Sequence, residues 1–176
     1  MIQIIGDIIP NKQYQYDMYL SEHIGNVRKS WDLIKDKIDD SELVNEVTAL
    51  VINHDKSKYG EEEYEPYLEY FYGDKDEDAF NVAWNHHQKN NPHHWQYWLL
   101  REDEGKDIAL DIPDKYILEM LCDWNSFVLK NMDYTIMDWY TENKKKIVLS
   151  SETKKKLESY IKLFDGVVEL GGEDDD

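Results

Sequence analysis

The sequence predicts an all-α fold, one bundle of seven or eight helices, on three observations. Apolar residues recur at three- and four-residue steps through most of the chain, the spacing of one helical face. Period-two alternation, the mark of a half-buried strand, is scarce. Neither a linker nor an internal repeat divides the 176 residues, a length that predicts one domain. That domain is expected over residues 1–170, with an acidic, disordered tail at 171–176. A chain of this size buries roughly 70% of its unfolded surface, so it needs no disulfide or structural metal to fold.

Residues 1–10 read as a short extended segment ended by Pro10. From Gln13 to Lys37 a stripe of Tyr16, Leu20, His23, Val27, Trp31 and Ile34 predicts a long helix. Ser41 is suited to cap a second, in which Leu43, Val47, Leu50, Val51 and His54 share a face. A third is expected from Glu61 to Tyr72, with Gly73 as its stop and Pro66 marking a kink or a late start. A fourth runs from Asp76 to Lys89, because Pro92 forbids smooth continuation. His93 to Leu100 reads as a helical turn and Arg101 to Asp111, polar and containing Gly105, as a loop. Pro113 suits the first turn of a helix over 114–130, where Tyr116, Met120, Asp123 and Phe127 form one line. Helices near 133–144 and 151–164 complete the chain.

The charge balance excludes whole classes of partner. There are 38 Asp and Glu against 20 Lys and Arg, a net charge of −18, whereas a groove for a nucleic-acid backbone needs clustered cations. The single Cys122 rules out an internal disulfide and fits a reducing compartment. The start, MIQIIGDIIPNK, has no basic lead or sustained apolar core, and no run approaches the ~20 apolar residues of a membrane span. A cytoplasmic protein is expected, in a bacterial cell or a phage-infected host. Thirteen Tyr and six Trp predict an aromatic interior, and any surplus exposed rings would suit a homodimer contact.

The unusual residues are polar groups on apolar faces. His23 lies in line with Leu20, Val27 and Trp31, and His54 with Leu50 and Val47. Asp123 interrupts the line between Met120 and Phe127. A carboxylate buried alone is costly, so it needs a cation, donors or a metal. A single inward His is most often a hydrogen-bonded core residue, and Asp123 alone could pair with Arg28 or a lysine. The order His, His-Asp, His pairs, Asp, each on its own segment, favours a shared divalent ion instead.

His23, the doublet His54-Asp55 and the distant Asp123 resemble the H…HD…D signature of the HD-domain superfamily. The stretch HHQKNNPHHWQYW, with HDKSKYG upstream, also resembles a family of small phage and bacterial proteins of unknown function. The likeness covers about residues 15–130 and implies an all-helical, metal-dependent phosphohydrolase acting on a small nucleotide. It implies that His23, His54, Asp55 and Asp123 hold one ion, of Mn, Fe, Co, Zn or Ni. A second ion would take one histidine from each of His86/His87 and His93/His94, with His86 and His94 assigned as ligands. His87 or His93 is then left as a general acid, and Lys58, joined to the doublet through HDKSK, as the contact to phosphate or hydroxide. The seven or eight residues between the His pairs depart from the wider separation usual in two-metal members. Trp84, Trp95, Tyr97 and Trp98 around the cluster read as core and wall before they read as a base-stacking platform. Two other functions fit the same residues: a di-iron HD-fold oxygenase, and an acidic interaction protein whose histidines bind no metal.

Overall fold

The computed structural model describes residues 11–129, 131 and 133–166. The expected N-terminal extended segment and acidic tail lie outside these residues. Seven α-helices make an all-α bundle with one small hairpin attached.

Local capping explains most helix starts. Asn11 accepts from the backbone of Gln13 and Tyr14 to open α1, Lys12–Asp32. A tight turn at Lys35–Lys37 follows, so the long helix stops five residues before its expected end. Asp40, rather than Ser41, caps α2, Ser41–Ile52. α3 spans Tyr64–Tyr72, which puts Pro66 in the first turn, where its missing N–H costs nothing. Asp76 caps α4, Glu77–Asn90. α5 runs Asp114–Ser126 from Pro113, and α6, Ile136–Asn143, starts in a Thr135–Asp138 capping box. Ser150 opens α7, Ser151–Tyr160.

One expectation failed outright. Leu99–Arg101 (β1) and Asp107–Ala109 (β2) pair antiparallel where the end of a helical turn and a loop were expected. Each strand has three residues, too few to show alternation, and Gly105 closes the turn at φ 86°. The Thr153 hydroxyl accepts from the Ile112 backbone, tying the hairpin's exit to α7.

α5 is the central rod. Ile117 through Ser126 are buried without interruption, and its largest contact is with α1. The stripe expected on α1 is buried throughout, from Tyr16 to Ile34. Phe127 is the exception on the α5 line: the helix ends at Ser126 and the ring is 57% exposed. Two apolar clusters result. The larger joins Val27, Trp31 and Val51 to α5, α6 and α7, while the smaller packs Tyr16 and Leu20 against Tyr67, Leu68 and Ala83. His23 sits on α1 between Leu20 of one cluster and Val27 of the other, so a polar centre lies at their junction.

Gly25 is an internal residue of α1, and a Cβ built there meets nothing within 4 Å. Glycine in a helix interior costs about 0.5–1 kcal/mol relative to alanine. Gly25→Ala is therefore expected to raise stability by that amount, read as a Tm increase of roughly 2–4 °C.

Candidate metal centre

Adjacent side chains on a helix diverge by about 100°, so His54 and Asp55 could not both face inward from within α2. The chain solves this by leaving the helix at Ile52 and placing Asp55 in the left-handed conformation, at φ 55° and ψ 21°. Asp is among the few residue types that enter this region readily. Both side chains then turn into the bundle and are almost fully buried.

Asp55 is the hub. Its Oδ2 lies 3.3 Å from His23 Nε2 and 2.7 Å from Lys58 Nζ. Its Oδ1 lies 3.2 Å from His87 Nε2, 3.4 Å from His93 Nε2 and 3.6 Å from His54 Nε2. Asp123 Oδ1, from α5, comes within 3.3 Å of His23 Nε2 and 3.7 Å of His54 Nε2. Ligand atoms at about 2.1 Å from a tetrahedral ion stand about 3.4 Å apart, which is the spacing seen here.

The outer nitrogens are held by other groups. Glu119 Oε1 is 3.0 Å from His54 Nδ1 and 3.4 Å from His93 Nδ1. Glu63 Oε2 lies 2.7 Å from His87 Nδ1, and its Oε1 2.7 Å from His86 Nδ1. The Ser126 hydroxyl donates to the Asp123 carbonyl, so it can only accept from His23 Nδ1, 3.2 Å away. A carboxylate or an engaged hydroxyl outside each ring places the proton on Nδ1 and leaves the Nε2 lone pair facing inward. Those lone pairs confront the oxygens of Asp55 and Asp123. Nε2 of His54, His87, His93 and His94 and Oδ1 of Asp55 are all buried without a hydrogen bond. A metal ion, or protons taken up by the rings, relieves that arrangement.

Charge leads to the same need. Four buried carboxylates (Asp55, Glu63, Glu119 and Asp123) face one partly buried lysine, Lys58, a balance of −3 when the imidazoles are neutral. Without an ion the histidines must take up protons. Burial opposes a charge on His23, but hydrogen bonds to Asp123 and Asp55 outweigh it and raise its pKa to about 9. Burial likewise opposes the charge on His54, where Asp55, Asp123 and Glu119 raise the value to about 10. Asp123 is pushed well below the usual carboxylate range: burial resists this, but hydrogen bonds from His23 and His54 prevail. His94 moves the other way, lowered by burial and then by the charge of His93, so it is a neutral imidazole.

The side chains form two main ligand groups sharing Asp55: His23, His54 and Asp55 with Asp123 close by, and Asp55, His87, His93 and His94. His54, His93 and Glu119 form a third, overlapping set. Nitrogen and carboxylate donors without thiolate suit Zn, Mn, Fe, Co or Ni, so the residues present fit such an ion. Cys122 is buried in the larger apolar cluster.

The sequence-derived assignment of the histidine pairs does not match their placement. His86 points to Glu63 with its side chain 35% exposed, and belongs to no ligand group among the described residues. His87 takes the inward position, because Ala83 and His87 share the buried face of α4. His93 faces Asp55 beside His94, which leaves neither His87 nor His93 in the position of a free acid. Lys58 is close to Asp55 but is engaged by it. Arg28 does not reach Asp123; its guanidinium donates to the Ile52 carbonyl at 2.9 Å. Trp84 stacks on His87 with ring centroids 5.7 Å apart, Trp95 and Trp98 pack against the larger cluster, and Tyr97 is exposed.

Two participants escaped the sequence reading. Glu119 stands four residues before Asp123 on α5, a same-face spacing that could have revealed it. Glu63 ends a run of three glutamates and carried no local signal. Glu119→Gln keeps the shape but removes the charge that anchors His54 and His93. We expect metal affinity to fall about 10–100-fold, measured by competition with a chromophoric chelator, with helix content unchanged.

No helix among the described residues is long and apolar enough to cross a membrane. No curated protein and no solved structure matches the chain. Residues 12–163 match the model of a family of unknown function, DUF5662, and with all but the ends of the chain covered, the protein belongs to that family.

Proposed function

We propose that this protein is an HD-type, metal-dependent phosphohydrolase acting on a small nucleotide. One observation carries the reading: buried imidazole Nε2 atoms from separate segments converge on Asp55, each turned inward by an outer partner where one is seen. The order of His23, His54-Asp55 and Asp123 along the chain supports the HD assignment. A divalent ion bound there supplies hydroxide at neutral pH and polarises a phosphoryl oxygen.

The protein's own groups have separate tasks. His23, His54, Asp55 and Asp123 hold one ion; Asp55, His87, His93 and His94 hold a second. Lys58 fixes Asp55 through Oδ2, leaving Oδ1 for the ions. Glu119 and Glu63 keep the ring nitrogens in register. Tyr19 and Phe127 flank the His23 ring at 6.2 and 5.1 Å between centroids, and both are exposed. They form an aromatic rim on which a nucleobase can stack.

The test is phosphate release from a panel of nucleoside mono-, di- and triphosphates and cyclic nucleotides by protein loaded with Mn, Co, Zn, Ni or Fe. Turnover is expected in the parent protein and in His86→Gln, and loss to background in His54→Ala. Equal release by the parent and His54→Ala, or none from either, removes the proposal. A di-iron oxygenase is favoured by a different observation, five inward imidazoles around one shared carboxylate. It requires two tightly bound irons with a spin-coupled signature and no nucleotide turnover.

A further inference from the structure

We propose that the cleft between α1 and the turn after α2 is a second binding site, which takes the phosphate group of a small aromatic phosphomonoester. The cleft encloses about 530 Å³ and borders the metal centre through His54. Although the chain carries a net charge of −18, no Asp or Glu among the described residues lines this space. Arg28 and Lys56 do. Arg28 spends one donor on the Ile52 carbonyl, which fixes the guanidinium at the cleft and leaves its other N–H groups for an anion. Lys56 is exposed and makes no ion pair among the described residues.

Gly25 forms part of the wall. An internal helix glycine is usually explained by close packing, yet nothing stands within 4 Å of the Cβ it lacks. The space it leaves open belongs to the cleft. Ile24, Ile52 and Tyr59 add apolar lining to the same space, and Ile52 and Tyr59 are more than half exposed. A ligand with one phosphate and one flat ring satisfies both kinds of lining. A polyanion does not, because the whole chain repels it at long range.

The site is independent of the metal reading, so it is tested on protein stripped of metal by chelation. Adenosine 5′-monophosphate, inorganic phosphate and adenosine are titrated while backbone amide shifts are followed by NMR. The monophosphate is expected to shift Gly25, Asn53 and Lys56 and to bind at least about tenfold more tightly than adenosine, with inorganic phosphate competing for the same residues. Lys56→Gln, which breaks no ion pair or side-chain hydrogen bond among the described residues, is expected to weaken binding by about threefold to tenfold. Gly25→Leu fills the void with a better helix former and is expected to abolish binding without lowering Tm. Adenosine binding as tightly as the monophosphate, shifts confined to His87–His94, or unchanged binding in both variants would overturn the proposal. Since no metal is present, these outcomes do not depend on whether the buried centre hydrolyses anything.

Discussion

Asp55→Asn is expected to remove bound metal while leaving the helical bundle folded. Asp55 is the residue common to the two main ligand groups, so losing its charge weakens the hold of either group on an ion. Asparagine suits the left-handed backbone at this position, where φ is 55°. The substitution thus changes charge without adding strain. Metal affinity should fall by more than the ~10–100-fold typical of an outer partner, and elemental analysis of purified protein should show stoichiometry near zero. Asp55→Ala should lose metal equally but be the less stable variant, because a side chain without polar atoms costs about 1–2 kcal/mol in that conformation. Wild-type stoichiometry in Asp55→Asn would show that the ion, if any, lies elsewhere. Lys58, mostly buried and paired with Asp55 at 2.7 Å, makes some loss of Tm inevitable in either variant.

Metal-free protein should lose stability as pH rises from about 6.5 toward 10, and metal-loaded protein should not. In the absence of an ion, His23 and His54 have folded-state pKa values raised to about 9 and about 10. A raised value stabilises the fold fully below the unfolded value of about 6.5, and this contribution disappears as pH passes through the folded value. The upper limit for His23 alone is roughly 3 kcal/mol, so its loss should lower Tm by up to roughly 10 °C across the window. Divalent ions replace those protons, so metal affinity rises over the same range and the Tm difference between loaded and stripped protein widens. Thermal melts from pH 6 to 10, with chelator and with Mn²⁺ or Zn²⁺, measure both effects. A gap that narrows with rising pH would mean that protons and metal do not compete for these imidazoles.

The two experiments address different links. The first asks which carboxylate the ions share; the second asks whether the raised histidines are the ligands. Together with the charge balance of −3 around Lys58, they connect burial to chemistry: the centre is stable only when something positive fills it.

Helical faces were readable without coordinates because a helix repeats by local rules. Tyr16, Leu20, His23, Val27 and Trp31 had to share one side of α1, and all are buried. The same rule placed Asp123 inward, whereas His54 is buried from the turn that follows α2. It failed at the ends. Phe127 followed the α5 line on paper, but α5 stops one residue earlier and the ring swings out. The hairpin at 99–109 was hidden because its pairing joins two segments too short to have a period.

Sequence alone determined that this chain is a helical bundle and that His23 and Asp123 point toward its interior, since side-chain direction within a helix depends only on residue spacing. Tertiary structure decided which member of each histidine pair turns inward, and that Glu119 and Glu63 steady the rings. It also decided that one left-handed residue lets Asp55 face both ligand groups. Those outcomes depend on where helices end and on contacts between segments far apart in the chain, and no local periodicity encodes either.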